Sequence, residues 1–205
     1  MPGIVMCDLI IVVVAYLLGC VQTGYYLVLF LTGQDLRRIG SGGTGARNAG
    51  RVLGRRGFII TLFGDVGKGA LAVAMAVWLC ASPWAIAAAL VAVTVGHVWP
   101  IQLRFSGGRG VAVGIGALAV YDPRLLGVLA AVTLISFAVV RRFQVSGLAG
   151  FAAVPFAAGC FRLPIEATVG VGCLSVIVLF AHRSHIARWL RSTPRNNGNA
   201  TGSGD

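Results

Sequence analysis

Negative charge is scarce in this chain: six Asp and Glu stand against seventeen Lys and Arg, for a net charge of +11. Charged residues of both signs make up only 11% of the sequence, too few for the surface of an ordinary soluble domain. The five cysteines, Cys7, Cys20, Cys80, Cys160 and Cys173, form no C-x-x-C pair, are odd in number, and read as small membrane hydrophobes. No H-E-x-x-H and no Cys/His ligand set occurs, so neither a metal nor another cofactor is indicated. No G-x-S-x-G turn points to a serine triad. A basic n-region is also missing ahead of the first apolar run. That run is therefore expected to stay as a span, neither cleaved as a signal peptide nor lipidated at the "LLGC" of Leu17 to Cys20.

What the chain has instead is apolar length. Hydrophobic residues make up 57% of it, and the mean hydropathy is +0.86. A span takes about 20 apolar residues, so an all-α integral membrane protein with about seven transmembrane helices is expected. The candidates are Ile4 to Leu31, Gly57 to Ala81, Trp84 to Leu103, Val111 to Tyr121, Leu125 to Val140, Val145 to Cys160 and Ile165 to Ala181, the fourth being short. Basic residues crowd into alternate connections. Arg37, Arg38, Arg47, Arg51, Arg55 and Arg56 follow the first candidate, Arg104 and Arg109 the third, and Arg141 and Arg142 the fifth, while Arg183, Arg188, Arg191 and Arg195 lie in the tail. Only Arg124 and Arg162 fall in the other connections, and Lys68 lies within a span. The positive-inside rule then puts the N-terminus outside and the C-terminus in the cytoplasm. One polytopic domain is expected over residues 1–190, with a disordered cytoplasmic tail over 191–205. Arginines set between apolar runs point to a lipid bilayer and phosphorylated substrates as partners, and not to nucleic acid. No oligomeric state is implied.

"GSGGTGARNAGR", Gly40 to Arg51, has the G-x-G-x-x-G spacing of a dinucleotide turn, with Asp65 twenty residues past Gly45. That fingerprint needs a βαβ frame, which a loop following a membrane helix lacks. The pattern still suits an anion. Glycines free successive backbone N–H groups to form a nest, and arginine offers paired donors to phosphate. The second loop, "FSGGRG", repeats the combination on the same expected face. The competing account is that the glycines only let helices pack and the arginines only obey topology. Asp65 and Lys68, three apart deep in the second span, either neutralise each other, brace the loops or line a cavity. Asp8, Asp122 and Glu166 belong to the outer side and Asp35 to the first loop, so Asp65 has no second buried carboxylate for acid/base chemistry. His97 in "GHVWP" precedes the helix-ending Pro100 and reads as a structural hydrogen-bonder. His182 and His185 in "AHRSHI" either bind an anion or favour a helix dipole.

Across nearly the whole chain the sequence resembles the PlsY family, the bacterial acyl-phosphate:glycerol-3-phosphate acyltransferases. The stretch "GSGGTGARNAGRVLG" is similar to the family's G-S-G-x-x-G-A-T-N-x-x-R-x-x-G, and "FGDVGKGALAV" to its D-V-x-K-G. "GHVWPIQLRFSGGRGVAV" is similar to its G-H-x-x-P and G-G-K-G-V-A-T, and "AHRSHI" takes the place of its H-R-E-N-I. The resemblance implies seven spans with cytoplasmic motifs, in the bacterial inner membrane, and transfer of an acyl group from acyl phosphate to glycerol 3-phosphate to give lysophosphatidic acid. It implies that Ser41, Arg51, Arg109, His182 and His185 surround the glycerol 3-phosphate. Gly42, Gly45, Asn48, Gly107, Gly108 and Gly110 would cradle the acyl-phosphate head, with Arg47 or Arg109 stabilising the leaving group, Arg51 clamping the acceptor phosphate and His182 orienting it or acting as base.

Five positions depart from the family pattern. Arg47 stands for the usual Thr, Arg109 for Lys, Val113 for Thr, Ser184 for Glu and His185 for Asn. Arg for Lys keeps the charge but turns a point donor into a planar fork. The departures leave open an active enzyme with substitutions, a different phosphorylated acceptor and a non-catalytic paralogue. A small anion-binding transporter or assembly partner is the alternative outside enzymology, although the outer halves of most spans offer no polar path.

Overall fold

A computed structural model describes residues 2–79 and 81–184. The expectations for His185 and for the tail beyond it lie outside the described residues. Among those residues no strand occurs, and the helices are α1 (Pro2–Cys20), α2 (Thr23–Thr32), α3 (Ala46–Trp78), α4 (Pro83–Val98), α5 (Val111–Tyr121), α6 (Pro123–Val140), α7 (Phe143–Cys160) and α8 (Ile165–Ala181). Helices close their backbone hydrogen bonds internally, which is what an apolar chain in hydrocarbon requires. Met6–Thr32, Ala46–Trp78, Pro83–Leu103, Pro123–Val140 and Phe143–Cys160 are long and apolar enough to cross a bilayer, while Val111–Tyr121 and Ile165–Ala181 are shorter apolar helices.

Three expected spans differ in detail. The first expected span, Ile4 to Leu31, is not one helix: it breaks at Val21–Gln22, where Gln22 has φ −97° and ψ 85°. The second begins at Ala46 instead of Gly57, because a kink at Gly54 (φ 66°, ψ −157°) joins a short arginine-bearing segment to the membrane stretch. The third reaches Leu103 as expected, but its α-helix ends at Val98. Pro100 disfavours helical geometry at the residue before it, and Trp99 takes φ −125°, ψ 67° before a 3₁₀ turn over Ile101–Leu103.

Capping residues mark one end of the bundle. Ser82 Oγ accepts from the backbone N–H of Ala85 at 3.2 Å, and the Ser82 N–H donates to Asp8 Oδ1 at 3.2 Å. Asp122 accepts from the Arg124 N–H at 2.9 Å and pairs with its guanidinium at 2.7 Å. Each cap precedes a proline at the first helical position, where no N–H is missed. In between, α1 packs on α4, α3 on α5, α6 on α7, and α8 on α4 and α7. Leu90, Leu118, Leu125, Phe151 and Leu174 fill the core. On α6, Leu134, Ile135 and Val139 are 68%, 69% and 80% exposed, a face suited to lipid.

The break between α1 and α2 frees carbonyls inside the molecule, and Lys68, Gln102 and Gln22 donate to them. Lys68 Nζ donates to the Val21 carbonyl and Gln102 Nε2 to that of Cys20. Gln22 Nε2 donates to the carbonyls of Gly19 (3.2 Å) and His97 (3.1 Å), and Gln22 Oε1 accepts from Thr44 Oγ1 at 2.6 Å. Irregular backbone at membrane depth is tolerated where protein groups satisfy it in this way. Asp65 pairs with Lys68 at 2.9 Å, so the buried charges neutralise each other and also brace the break.

Candidate active site

The two glycine loops, some sixty residues apart in sequence, meet at the end of the bundle opposite Asp8, Ser82 and Asp122. Arg37 ties them: its guanidinium pairs with Asp35 at 2.7 Å and donates to the Leu103 carbonyl at 3.0 Å. The hydrogen bonds from Arg37, more than its charge, hold the Asp35 carboxyl below its usual range.

Asn48 shapes the first loop from within. Its buried side-chain amide donates toward the carbonyls of Leu36 (3.0 Å), Ile39 (2.8 Å) and Gly43 (2.9 Å), and Oδ1 accepts from the Ser41 N–H at 3.1 Å. Gly40 has φ 59°, and a Cβ there would lie 2.4 Å from Asn48 Oδ1. Only glycine fits that turn. In the second loop the Gly107 and Gly108 N–H groups donate to the carbonyls of Val98 (3.2 Å) and His97 (2.9 Å). A Cβ on Gly108 would lie 2.0 Å from His97 Nε2, so the loop can sit against the imidazole only without a side chain.

Two cavities open at this junction. The smaller, about 210 Å³, is lined by loop residues Ser41, Gly42, Gly43, Gly107, Gly108 and Arg109, with Arg183 at its edge. The larger, about 380 Å³, has Gly45, Arg47, Asn48, Gly110 and His182 at its polar end. It runs to Phe58, Leu62, Ile115, Phe143 and Leu148, and Asp65 and His97 reach its wall. Ser41, Gly43, Gly108 and Arg109 border both. The Arg47 guanidinium lies over the Phe143 ring, 5.3 Å from its centre, bridging α3 and α7.

His182 is buried one residue past the end of α8, and its Nδ1 lies 2.8 Å from the Val178 carbonyl. A carbonyl can only accept, so Nδ1 carries the hydrogen and the lone pair is on Nε2. Burial pushes its pKa below the ordinary value; the bond to Val178 opposes this, and the charges of Arg109 and Arg47 add to it.

Of the residues expected from sequence, Ser41, Gly42, Gly45, Arg47, Asn48, Gly107, Gly108, Arg109, Gly110 and His182 line one or both cavities. Arg51 lines neither. Its guanidinium packs behind Gly40, with Nη1 3.3 Å from where a Cβ on that residue would sit. Asn48 spends its amide on the loop itself, so its contribution is the loop's shape. Sequence reasoning missed Phe143 and Gln144, which "RRFQ" marks only as a break, and Arg183, which was read for topology alone. His97, read as structural, borders the larger cavity.

A family model described as glycerol-3-phosphate acyltransferase matches residues 9–192. Glycerol-3-phosphate acyltransferase 1 of Desulfitobacterium hafniense is 43% identical over 188 residues, covering 92% of this chain and 93% of that protein. The glycerol-3-phosphate acyltransferase of Rubrobacter xylanophilus is 36% identical over 200 residues, covering 97% and 100%. The crystal structure of PlsY (YgiH), an integral membrane glycerol 3-phosphate acyltransferase, in its glycerol 3-phosphate form superposes with a TM-score of 0.83 at 27% identity, covering 94% of this chain and 96% of that one. The lysophosphatidic acid form of PlsY gives a TM-score of 0.80 at 25% identity, covering 90% and 92%.

Proposed function

This chain belongs to the glycerol-3-phosphate acyltransferase family, and we propose that it moves an acyl group from acyl phosphate to a hydroxyl of glycerol 3-phosphate, yielding lysophosphatidic acid and phosphate. The observation that carries the reading is the shared wall of Ser41, Gly43, Gly108 and Arg109 between a small polar cavity and a larger one with apolar depth. A phosphorylated three-carbon acceptor suits the first, and an acyl chain ending in phosphate suits the second. Their reacting atoms meet at the wall, which turns an encounter of two molecules into a positioned reaction.

Acyl phosphate is a mixed anhydride with a good leaving group, so little side-chain chemistry is required. The acceptor oxygen bonds to the acyl carbon, the carbonyl electron pair moves onto its oxygen, and the tetrahedral centre collapses with loss of phosphate. Arg109 and Arg47 stabilise the departing phosphate, since the N–H groups of Ser41, Gly42, Gly107 and Gly108 are spent on acceptors within the protein. His182, neutral and with its lone pair on Nε2, takes the proton of the acceptor hydroxyl or orients that hydroxyl so that the departing phosphate carries the proton away. Arg51, beside Gly40 and outside both cavities, meets the acceptor phosphate as it enters. The inner membrane of a bacterium, with these loops in the cytoplasm, is the setting this chemistry implies.

Purified protein supplied with palmitoyl phosphate and glycerol 3-phosphate is expected to release phosphate and form lysophosphatidic acid. Arg109→Ala and Arg51→Ala variants are expected to lose most of that product. Wild-type product no greater than that of either variant favours the anion-binding transporter or assembly partner.

A further inference from the structure

Beneath the glycine loops the structure assigns His97 a second job: we propose that its Nε2–H donates to the carbonyl oxygen of acyl phosphate while that oxygen carries the charge of the transition state. The inference rests on the acyltransferase reading above.

The ammonium of Lys68 fixes the tautomer. An ammonium has three donors and no acceptor. Lys68 Nζ faces the Val21 carbonyl, Asp65 Oδ1 at 2.9 Å and His97 Nδ1 at 2.9 Å. The contact with Asp65 Oδ1 is an ion pair, that oxygen having no hydrogen-bond partner, while an ammonium has nothing to accept with, so Nδ1 at 2.9 Å accepts from it. A neutral imidazole accepting at Nδ1 carries its hydrogen on Nε2. The backbone is equally tied: the His97 carbonyl accepts from Gln22 Nε2 at 3.1 Å and from the Gly108 N–H at 2.9 Å. The ring is held at Nδ1 by Lys68, and the backbone beneath it by Gln22 and Gly108.

Nε2 abuts Gly108, which borders both cavities, and His97 lines the larger one. Among the described residues no protein acceptor takes its hydrogen. Buried polar groups normally have partners, and a donor on a cavity wall without one is placed for a ligand. Its depth selects the oxygen. Arg47 is exposed and Arg109 half-buried, at the level where phosphate charge is held, whereas His97 is 3% exposed. Leu62 and Ile115 line the same cavity and take the chain. Between phosphate and chain lies the acyl carbonyl. A fixed neutral donor aimed there strengthens its bond as charge grows on the oxygen.

The test pairs His97→Leu, which removes the donor, with His97→Gln, whose amide N–H reaches to a similar distance. For His97→Leu, kcat is expected to fall roughly 100-fold or more, as on loss of an oxyanion donor. KM for palmitoyl phosphate and glycerol 3-phosphate should stay within about threefold, and His97→Gln should fall in between. Nitrogen-15 NMR of histidine-labelled protein is expected to show His97 protonated at Nε2 and bare at Nδ1, a preference lost in Lys68→Met, which makes Lys68 a positioning residue. Wild-type kcat in the folded fraction of His97→Leu, or an Nδ1–H tautomer, overturns the proposal and leaves the acyltransferase reading standing. Absence of wild-type turnover overturns that reading and this proposal with it.

Discussion

At the residue scale, two side chains give opposite kinds of prediction. Arg109 is a fork of donors on the wall shared by both cavities, so Arg109→Ala is expected to lower kcat/KM by about 10²- to 10³-fold, and Arg109→Lys by less because the charge survives. Steady-state kinetics with each substrate varied checks this. His182 gives a pH dependence. Its pKa lies below the usual 6.5, burial being the main cause, so the neutral form needed for orienting or accepting a proton persists through neutral pH. Activity is expected to hold above pH 6.5 and to fall with acid below it. Phosphates also titrate near pH ~6, which makes His182→Ala the discriminating control: its smaller activity should lose the part of the acid limb that belongs to the histidine. The same depression acts on stability. The unfolded chain binds the proton more readily, so the contribution is full above the ordinary histidine pKa and is lost as pH falls through the folded one. Thermal unfolding of wild type against His182→Ala, at pH 7.5 and below 6, reads that difference.

At the scale of elements, the glycine loops were legible as turns because they interrupt the apolar runs, but the backbone nest expected of them is not what Gly42, Gly107 and Gly108 form: their N–H groups donate to the carbonyls of Ile39, Val98 and His97. How the first loop is held was not legible, because one asparagine seven residues past Ser41 gives no periodic signal, and its worth lies in carbonyls that only the folded loop brings together. Asn48→Asp turns a donor toward three carbonyls into an acceptor facing them. The loop should open, KM for acyl phosphate should rise at least about tenfold, and the protein should lose about 1–3 kcal/mol of stability. The break in the first span was hidden for a similar reason. Hydropathy averages over Val21–Gln22, and nothing local announces that Lys68, Gln102 and Gln22 will satisfy the freed carbonyls. Gln22→Leu removes the residue that serves two carbonyls and the Thr44 hydroxyl at once. It is expected to lower the unfolding temperature by several degrees, while a surface change such as Arg38→Gln does not.

At the scale of the whole molecule, the sequence pattern carried the all-helical membrane architecture because a bilayer allows a chain so few solutions, and apolar length sets the helices. What it left out was depth. α5 has eleven residues, about 17 Å, short of the ~30 Å hydrocarbon core, and the loop before it dips inward until Gly108 touches His97. Gly108 and His97 thus sit buried, with Arg104, Arg141 and Arg142 exposed at the same end of the bundle and Arg162 at the other. Sidedness follows as a prediction. With the five native cysteines replaced by serine or alanine, a cysteine at Arg162 should react with a membrane-impermeant maleimide added to intact cells, and a cysteine at Arg141 only after the membrane is opened. The reverse pattern would put the arginine-rich loops outside, where a cytoplasmic acyl phosphate and its acceptor could not reach the wall between the two cavities.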